Sequence, residues 1–187
     1  MFEKITIIGM GLIGSSLAHC IKRANLAKKV TAADMSEDVC AKVRELGLAD
    51  VATTDVAKSV IGSDLVILAV PVGVIKDVAE QICPLMAPNA VLSDVSSVKK
   101  AVIDAVEPLL PESVYLVPAH PIAGTEHSGP EAGFAELFDG RWCILTPSAA
   151  TPIKSVEKVT AFWEGCGSMI EIMDADHHDL VLAITSH

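Results

Sequence analysis

The fold is decided by Ile5-Thr-Ile-Ile-Gly-Met-Gly-Leu-Ile-Gly-Ser-Ser-Leu-Ala18, in which a short apolar run passes directly into a glycine-rich turn and then a helical pattern. Gly9, Gly11 and Gly14 permit, in turn, a tight strand-to-helix turn, close approach of a pyrophosphate and close packing of helix on strand. The pattern predicts a Rossmann-type site with the pyrophosphate on the first N–H groups of the helix, which include those of Leu12 and Ile13.

Asp34 lies twenty residues beyond the last glycine, at the end of the apolar segment Val30–Ala33. A carboxylate there can accept hydrogen bonds from both ribose hydroxyls and would repel a 2′-phosphate, so the sequence favours NAD over NADP. The simpler alternative is a tight turn in any α/β protein, and FAD binds to a similar glycine pattern. The preceding strand, the following helix and the acidic residue together favour a dinucleotide site over a plain turn, and the motifs described below argue against FAD.

The composition limits the class of protein. About half of the 187 residues are apolar, which is enough for a substantial core, and the formal net charge is −10 without a dense Lys/Arg run. Nucleic acid and anionic membranes are therefore not expected as partners. The five cysteines are scattered and odd in number, which favours reduced thiols and a cytoplasmic protein. We expect no signal segment at the N-terminus and no transmembrane helix.

Short β-rich runs alternate with amphipathic stretches of helical length, which predicts βαβ units and a doubly wound, mostly parallel sheet. The predicted strands are 5–8, 30–33, 65–69, 91–93, 115–117, 142–145 and 169–172. The predicted helices are 12–23, 36–46, 74–83, 99–109 and 153–166, with Ser36 as an N-cap and Gly47 as a C-terminal stop.

The final residues predict a helix that Asp174 caps and that carries Leu180, Val181 and Ile184 on one face. Since no glycine or proline stop precedes His187, we expect the helix to continue in a longer chain, although a frayed terminal helix is the alternative. The predicted division is a dinucleotide-binding domain over 1–173 and the start of a junction helix over 174–187.

Polar residues that directly follow strands are the site candidates, because ligands of open α/β sheets bind beyond the carboxyl ends of the strands. Val70 and Pro71 follow one strand and are predicted to line the cofactor site, although they also serve as structural punctuation. Asp94-Val-Ser-Ser-Val-Lys99 follows the next strand and is predicted to bring two serines and a lysine to the nicotinamide, with Ser97 as the working hydroxyl. Helix capping by Asp94 and the serines explains this segment equally well.

His120-Pro-Ile-Ala-Gly-Thr-Glu126 follows the strand that ends at Val117, in a long passage from Pro118 to Gly140 that we expect to be irregular. Histidine accepts a proton near neutral pH, which a dehydrogenase needs when an alcohol becomes a carbonyl. His120 is the candidate base, and Thr125 and Glu126 are candidate orienting or substrate-binding groups. The alternative is a loop histidine bonded to backbone.

The other histidines do not predict a metal site. His177 and His178 are adjacent on a helix and face different ways, so we expect surface or helix-end roles for them and for His127 and His187. His19, on the first helix, is expected to be structural.

Three segments together resemble the prephenate and arogenate dehydrogenases, including the broad cyclohexadienyl dehydrogenases. They are Gly9-x-Gly-x-x-Gly-Ser-Ser-Leu17, Asp94-x-x-Ser-Val-Lys99 and His120-Pro-Ile-Ala-Gly-Thr-Glu-x-Ser-Gly129, and the last is far more specific than the glycines. Thr185-Ser-His187 also looks like the start of the family's Ser-His-Leu-Pro-His segment at a domain junction.

The resemblance implies a Rossmann domain followed by a helical, dimerising domain that is largely absent here and that completes the pocket. It implies a homodimer for the full-length chain and NAD-dependent oxidative decarboxylation of prephenate, arogenate or both, in tyrosine biosynthesis. His120 would take the proton of the ring hydroxyl, and Ser97 would hydrogen-bond both His120 and that hydroxyl. Glu126 would be an acidic residue at the pocket that acts as a gate or an orienting group. Alternatives are a β-hydroxyacid dehydrogenase, a pyrroline-carboxylate reductase or a non-catalytic NAD-binding module.

Overall fold

The computed structural model describes residues 1–185 and places nine strands and seven helices in them. The strands are β1 (Phe2–Ile8), β2 (Ala27–Ala33), β3 (Val51–Thr53), β4 (Leu65–Leu68), β5 (Val91–Asp94), β6 (Tyr115–Leu116), β7 (Ala119–Pro121), β8 (Trp142–Leu145) and β9 (Met169–Ile172). The helices are α1 (Leu12–Ala24), α2 (Glu37–Glu45), α3 (Val56–Ser59), α4 (Val72–Ile82), α5 (Lys100–Val106), α6 (Ile153–Gly165) and α7 (Ala175–Thr185).

Six strands form a parallel sheet in the order β3-β2-β1-β4-β5-β6. This is the strand order of a doubly wound Rossmann fold, so the predicted fold class is confirmed. The chain winds outward from β1 to β3 and then returns to β4 on the other side of β1. A crevice therefore opens between the carboxyl ends of β1 and β4, where such folds bind their ligands.

The central strand β4 is apolar throughout, and the second half of β1 is largely apolar, because both faces of the sheet are covered. In β4, Leu65 and Ile67 pack into the core beneath α1 and α6, whereas Val66 and Leu68 pack into the core beneath α4 and α5. A strand that is buried on both faces gives a continuous apolar run in the sequence, which is why β1 and β4 were predictable.

Two strands were not predicted. β3 is a three-residue edge strand that is only partly buried, so it carries little apolar signal. β7 lies inside the passage that we expected to be irregular, where prolines precede and end it. β7 pairs antiparallel with β8, and β8 pairs parallel with β9, so the last two predicted strands form a separate three-stranded sheet.

The predicted caps are confirmed. The Val39 N–H donates to Ser36 Oγ at 3.4 Å at the start of α2, and Gly47 follows that helix with a φ of +61°. Asp174 Oδ1 accepts from the His177 N–H at 2.8 Å and caps α7. The helix predicted over 99–109 is shorter, because Pro108 has no N–H to continue an α-helix and the last turn is 3₁₀.

Among residues 1–185, no helix has the length and apolar character needed to span a membrane.

Replacing Gly14 by Ala should destabilise the fold, because an added Cβ would lie 2.0 Å from the Gly9 carbonyl oxygen. To relieve this clash, α1 would have to shift away from the glycine turn. We therefore expect the free energy of unfolding to fall by roughly 1–3 kcal/mol in urea titrations. Gly73→Ala is the control, since a Cβ there meets nothing within 4 Å and the free energy should be unchanged or slightly raised. Equal stability of the two variants would contradict the packing role of Gly14.

Candidate active site

A cavity of about 700 Å³ lies at the carboxyl ends of β1, β2, β4 and β5, within the size range of ligand sites. The structure brings eight of the nine residues predicted for the cofactor to its wall: Gly9, Gly11, Leu12, Ile13, Asp34, Val70, Pro71 and Ser97. Gly14 does not line the cavity, because it lies against the Gly9 carbonyl and lets α1 pack close to the turn.

The first turn of α1 faces this cavity with free backbone donors. Gly11 is its N-cap, no side chain among residues 1–185 caps the helix, and no acidic residue lies in the first turn. A Cβ added to Gly11 would meet nothing within 4 Å, so the space in front of the helix is open. Unpaired N–H groups and the positive end of the helix dipole together suit a phosphate.

Asp34 is held at the rim of the same cavity by two backbone donors. Its Oδ2 accepts from the Met10 N–H at 2.9 Å, and its Oδ1 accepts from the Ser36 N–H at 3.0 Å. The carboxylate thus links the glycine turn to the end of β2, where the fold places a cofactor ribose. This fixed negative charge suits two hydroxyls and opposes a 2′-phosphate.

Ser96 also lines the cavity, although Ser97 was the hydroxyl predicted from the sequence. Its Oγ is buried and has no hydrogen-bond partner within residues 1–185. A buried hydroxyl without a partner costs free energy, so a polar ligand group that reached it would be stabilised. Together with the free N–H groups and Asp34, this hydroxyl makes the cavity fit a dinucleotide.

A second cavity of about 460 Å³ lies beside the first and is lined by His120, Pro121, Asp179 and Leu182, among others. Ser97 belongs to the walls of both cavities. The Ser97 hydroxyl therefore stands at the junction, where the reacting end of a cofactor in the first cavity would face a substrate in the second.

A fully buried ion pair holds this junction together. Lys99 Nζ donates to both carboxylate oxygens of Asp94, at 2.6 and 2.8 Å, and to the Ala119 carbonyl at 2.6 Å. The Ala119 N–H donates back to Asp94 at 3.2 Å. Burial lowers the pKa of Lys99 below its usual 10.5, although the Asp94 carboxylate opposes this effect.

The expectation that Lys99 reaches the nicotinamide is therefore wrong, because all three protons of its ammonium group are used inside the protein. The predicted capping of α5 by Asp94 and the serines is also wrong. Asp94 accepts from the Ser96 N–H and shapes the loop, whereas Asp179 of α7 accepts from the first N–H groups of α5.

His120 lies on β7 and is bonded to a second histidine. Its Nδ1 is 2.9 Å from Nε2 of His178, and Nδ1 of His178 is 2.8 Å from Oδ1 of Asp179. His178 is fully buried, so the surface or helix-end role expected for it is wrong. The only signal in the sequence was the adjacent His178 and Asp179 near the start of the last helix, because the contact of His178 with His120 is long-range.

His120 is poised as a neutral base. Burial lowers its pKa, and the positive charge of Lys99 and the neighbouring His178 add to this effect, so the pKa falls to about 4. The negative charge of Asp179 opposes the shift. At neutral pH the imidazole therefore carries a free lone pair on one ring nitrogen.

Thr125 and Glu126 are not brought to either cavity. Both are exposed on the loop after β7, where Thr125 Oγ1 accepts from the His127 N–H at 3.2 Å. The segment from 123 to 129 has no strand or helix to aim these side chains inward. Their substrate-binding roles remain predictions.

His127 and His177 are exposed, and His19 is partly buried on α1. Ser186 and His187 lie outside the described residues. Within residues 1–185, no three His, Cys, Asp or Glu side chains are grouped so that they could hold a metal ion.

The family described as "Prephenate dehydrogenase, nucleotide-binding domain" matches residues 17–172, which is most of the chain. The chain belongs to this family. Among curated relatives, the cyclohexadienyl dehydrogenase of Zymomonas mobilis is 44% identical over the whole of this chain and 64% of its own length. The chain thus spans somewhat less than two thirds of that member of the prephenate dehydrogenase family.

Solved structures of prephenate dehydrogenase family members have the same fold. Prephenate dehydrogenase from Aquifex aeolicus, in complex with hydroxyphenyl propionate and NAD⁺, is 32% identical with a TM-score of 0.91, over 97% of this chain and 63% of that one. Arogenate dehydrogenase from Synechocystis is 28% identical with a TM-score of 0.91, over 98% and 64%.

Removing the Lys99 ammonium alone should be costly. Lys99→Met leaves Asp94 buried without its partner, so we expect the free energy of unfolding to fall by about 3–5 kcal/mol in urea titrations. The double variant with Asp94→Asn should lose clearly less than the sum of the two single losses.

The neighbouring exposed pair, Lys100 and Asp104, is the matched control and should show little effect on replacement. Additive losses at Lys99 and Asp94 would contradict a coupled buried pair.

The pKa of His120 predicts a pH dependence of stability. Its folded pKa of about 4 lies below its usual 6.5, so between these values the unfolded chain binds more protons. The free energy of unfolding should therefore fall as the pH is lowered from about 6.5 to about 4, and the His120→Asn variant should lose less. Parallel urea titrations at pH 7 and 4.5 measure the difference, with exposed His127→Asn as the control; equal losses in wild type and His120→Asn would refute it.

Proposed function

We propose that the protein of which this chain is part carries out NAD-dependent oxidative decarboxylation of prephenate, arogenate or both. The observation that carries the proposal is the junction at Ser97, where a cavity that fits a dinucleotide meets a second cavity that contains a neutral histidine base. Membership of the prephenate dehydrogenase nucleotide-binding family and the likeness to a complex with NAD⁺ support it.

NAD⁺ is the proposed cofactor, and when bound it supplies the hydride acceptor. The free N–H groups of α1 would hold its pyrophosphate, Asp34 its adenosine ribose, and Ser96 or Ser97 the polar groups at its other end. Asp34 is acidic and the exposed Met35 beside it is uncharged, so neither residue offers a positive charge to a 2′-phosphate. This supports NAD over NADP.

His120 is the proposed catalytic base. Its Nδ1 is hydrogen-bonded to His178, so Nε2 is the nitrogen that can accept the ring hydroxyl proton of a substrate in the second cavity. As this proton moved to His120, the hydride on the alcohol carbon would pass to the acceptor that NAD⁺ supplies, and that carbon would become a carbonyl carbon. The bond to the ring carboxylate would then break with loss of CO₂, its electron pair would complete the aromatic ring, and the ring oxygen would take a proton back from His120. The Ser97 hydroxyl would hydrogen-bond the reacting oxygen.

A lysine-based dehydrogenase is less consistent with this site. The lysine beside it, Lys99, is fully buried and donates to Asp94 and to the Ala119 carbonyl, so it cannot reach a substrate. This geometry favours His120 over the alternative of a β-hydroxyacid dehydrogenase or pyrroline-carboxylate reductase. A non-catalytic NAD-binding module is separated from an enzyme by the test below.

The remainder of the relatives' length suggests a second domain, and this chain offers a surface for it. An exposed apolar face is lined by Ile122 and Trp142 of the small sheet and by Leu182 of α7, and Leu180 and Ile184 are exposed elsewhere on the same helix. We propose that a helical domain of a longer chain covers this face, closes the second cavity and dimerises. The five free, buried cysteines support a reducing, cytoplasmic compartment.

Replacing His120 by Asn should abolish most turnover and leave cofactor binding intact. Asn cannot accept a proton at neutral pH, so kcat for NADH formation with prephenate or arogenate should fall by about a hundred- to ten-thousand-fold. The Kd for NAD⁺, measured by calorimetry, should stay within about twofold.

The control is His127→Asn, because His127 is exposed on the loop after β7 and should not affect turnover. Full turnover by the His120 variant would disprove the role of the base. Failure of the full-length native protein to turn over either substrate would leave only the dinucleotide-binding proposal.

A further inference from the structure

The Asp179 carboxylate of α7 accepts hydrogen bonds from three N–H groups. Asp179 Oδ1 accepts from the Lys99 N–H at 2.8 Å and from His178 Nδ1 at 2.8 Å, and its Oδ2 accepts from the Lys100 N–H at 3.0 Å. Partial burial raises the pKa of Asp179, but these donors outweigh burial and hold its pKa below the usual value. An ionised carboxylate has no proton to give, so every partner must be the donor.

The donor at His178 fixes the protons on both imidazole rings. Because Asp179 only accepts, Nδ1 of His178 carries the hydrogen, and Nε2 of a neutral His178 is then a bare acceptor. Nδ1 of His120 lies 2.9 Å from that acceptor and must donate to it. The hydrogen of neutral His120 is therefore on Nδ1, and its Nε2 is bare.

We propose that Asp179 is a positioning residue that acts through His178 to hold His120 in the Nδ1–H tautomer, with Nε2 as the proton acceptor that faces the second cavity. This proposal rests on the proposed function for its catalytic meaning, but the tautomer is a property of the protein alone. The same carboxylate also binds the first N–H groups of α5, so it fixes the loop that carries Ser97 and the ring of His120 together.

Asparagine at 179 separates this role from simple packing, because it has nearly the same shape. Its amide oxygen can replace only one of the two carboxylate oxygens, so the NH₂ faces either the Lys100 N–H or the Lys99 N–H together with His178 Nδ1. When the NH₂ faces His178, that ring must reverse its tautomer and donate from Nε2 to His120. His120 then carries its hydrogen on Nε2 and can no longer accept a proton there.

The test compares the full-length wild-type protein, Asp179→Asn and Asp176→Asn at pH 8. Asp176 lies on the same helix and is exposed, so its replacement removes an equal charge away from His178. Multiple-bond ¹⁵N–¹H spectra of histidine-labelled protein report which ring nitrogen carries hydrogen, and the signal set that is lost in His120→Asn is assigned to His120.

We expect the Nδ1–H form of His120 in the wild type and in Asp176→Asn, and a gain of the Nε2–H form in Asp179→Asn. We also expect kcat of Asp179→Asn to fall by about tenfold to a thousandfold, with KM and the Kd for NAD⁺ changed by less than about threefold. A residue that merely contacted substrate would raise KM and leave the tautomer alone.

Two outcomes overturn the proposal: an Nε2–H form of His120 in the wild type, which needs no variant to fold, or an unchanged Nδ1–H form of His120 in both Asp179→Asn and Asp179→Leu, since leucine offers His178 Nδ1 no acceptor. Failure of the proposed function is a different result. In that case the native protein turns over neither prephenate nor arogenate, while its histidine spectra still show which nitrogen of His120 is bare.

Discussion

The site depends on the buried ion pair between Lys99 and Asp94. The pair joins three pieces of chain that are distant in sequence, namely the end of β5, the loop before α5 and the start of β7, because Lys99 also donates to the Ala119 carbonyl. A buried ammonium group with three satisfied protons tolerates few alternative geometries. Ser97 and His120 are close in sequence to residues of this network, so the ion pair fixes their positions. The positive charge of Lys99 also lowers the pKa of His120 and helps to keep it neutral.

Much of the fold could be predicted from local patterns. The apolar runs of β1 and β4, the glycine turn and the caps at Ser36 and Asp174 each depend on residues close together in sequence. The cofactor cavity followed from the same logic, since its residues are grouped at strand ends. β3 and β7 escaped prediction because an exposed edge strand and a proline-flanked strand are stabilised by their neighbours rather than by their own pattern.

The partners of His120 could not be predicted, because their contacts join residues that are far apart in the sequence. His178 is 58 residues from His120, and Asp179 is 80 residues from Lys99, so no spacing rule connects them. The histidine pair looked like a helix surface because adjacent residues on a helix face different ways. Packing of α7 on α5 turned one of them inward and left its neighbour, His177, exposed.

α7 has a consequence for how this protein can be divided. The sequence pattern predicts this helix to be the start of a junction helix after the Rossmann domain. The helix nevertheless supplies His178 and Asp179 to the candidate site. A chain cut before Asp174 would keep the whole cofactor cavity and lose both partners of His120. The contacts of His120 therefore cross the predicted border between the dinucleotide-binding domain and the junction helix, so a unit exchanged between relatives keeps these contacts only if it carries this helix along.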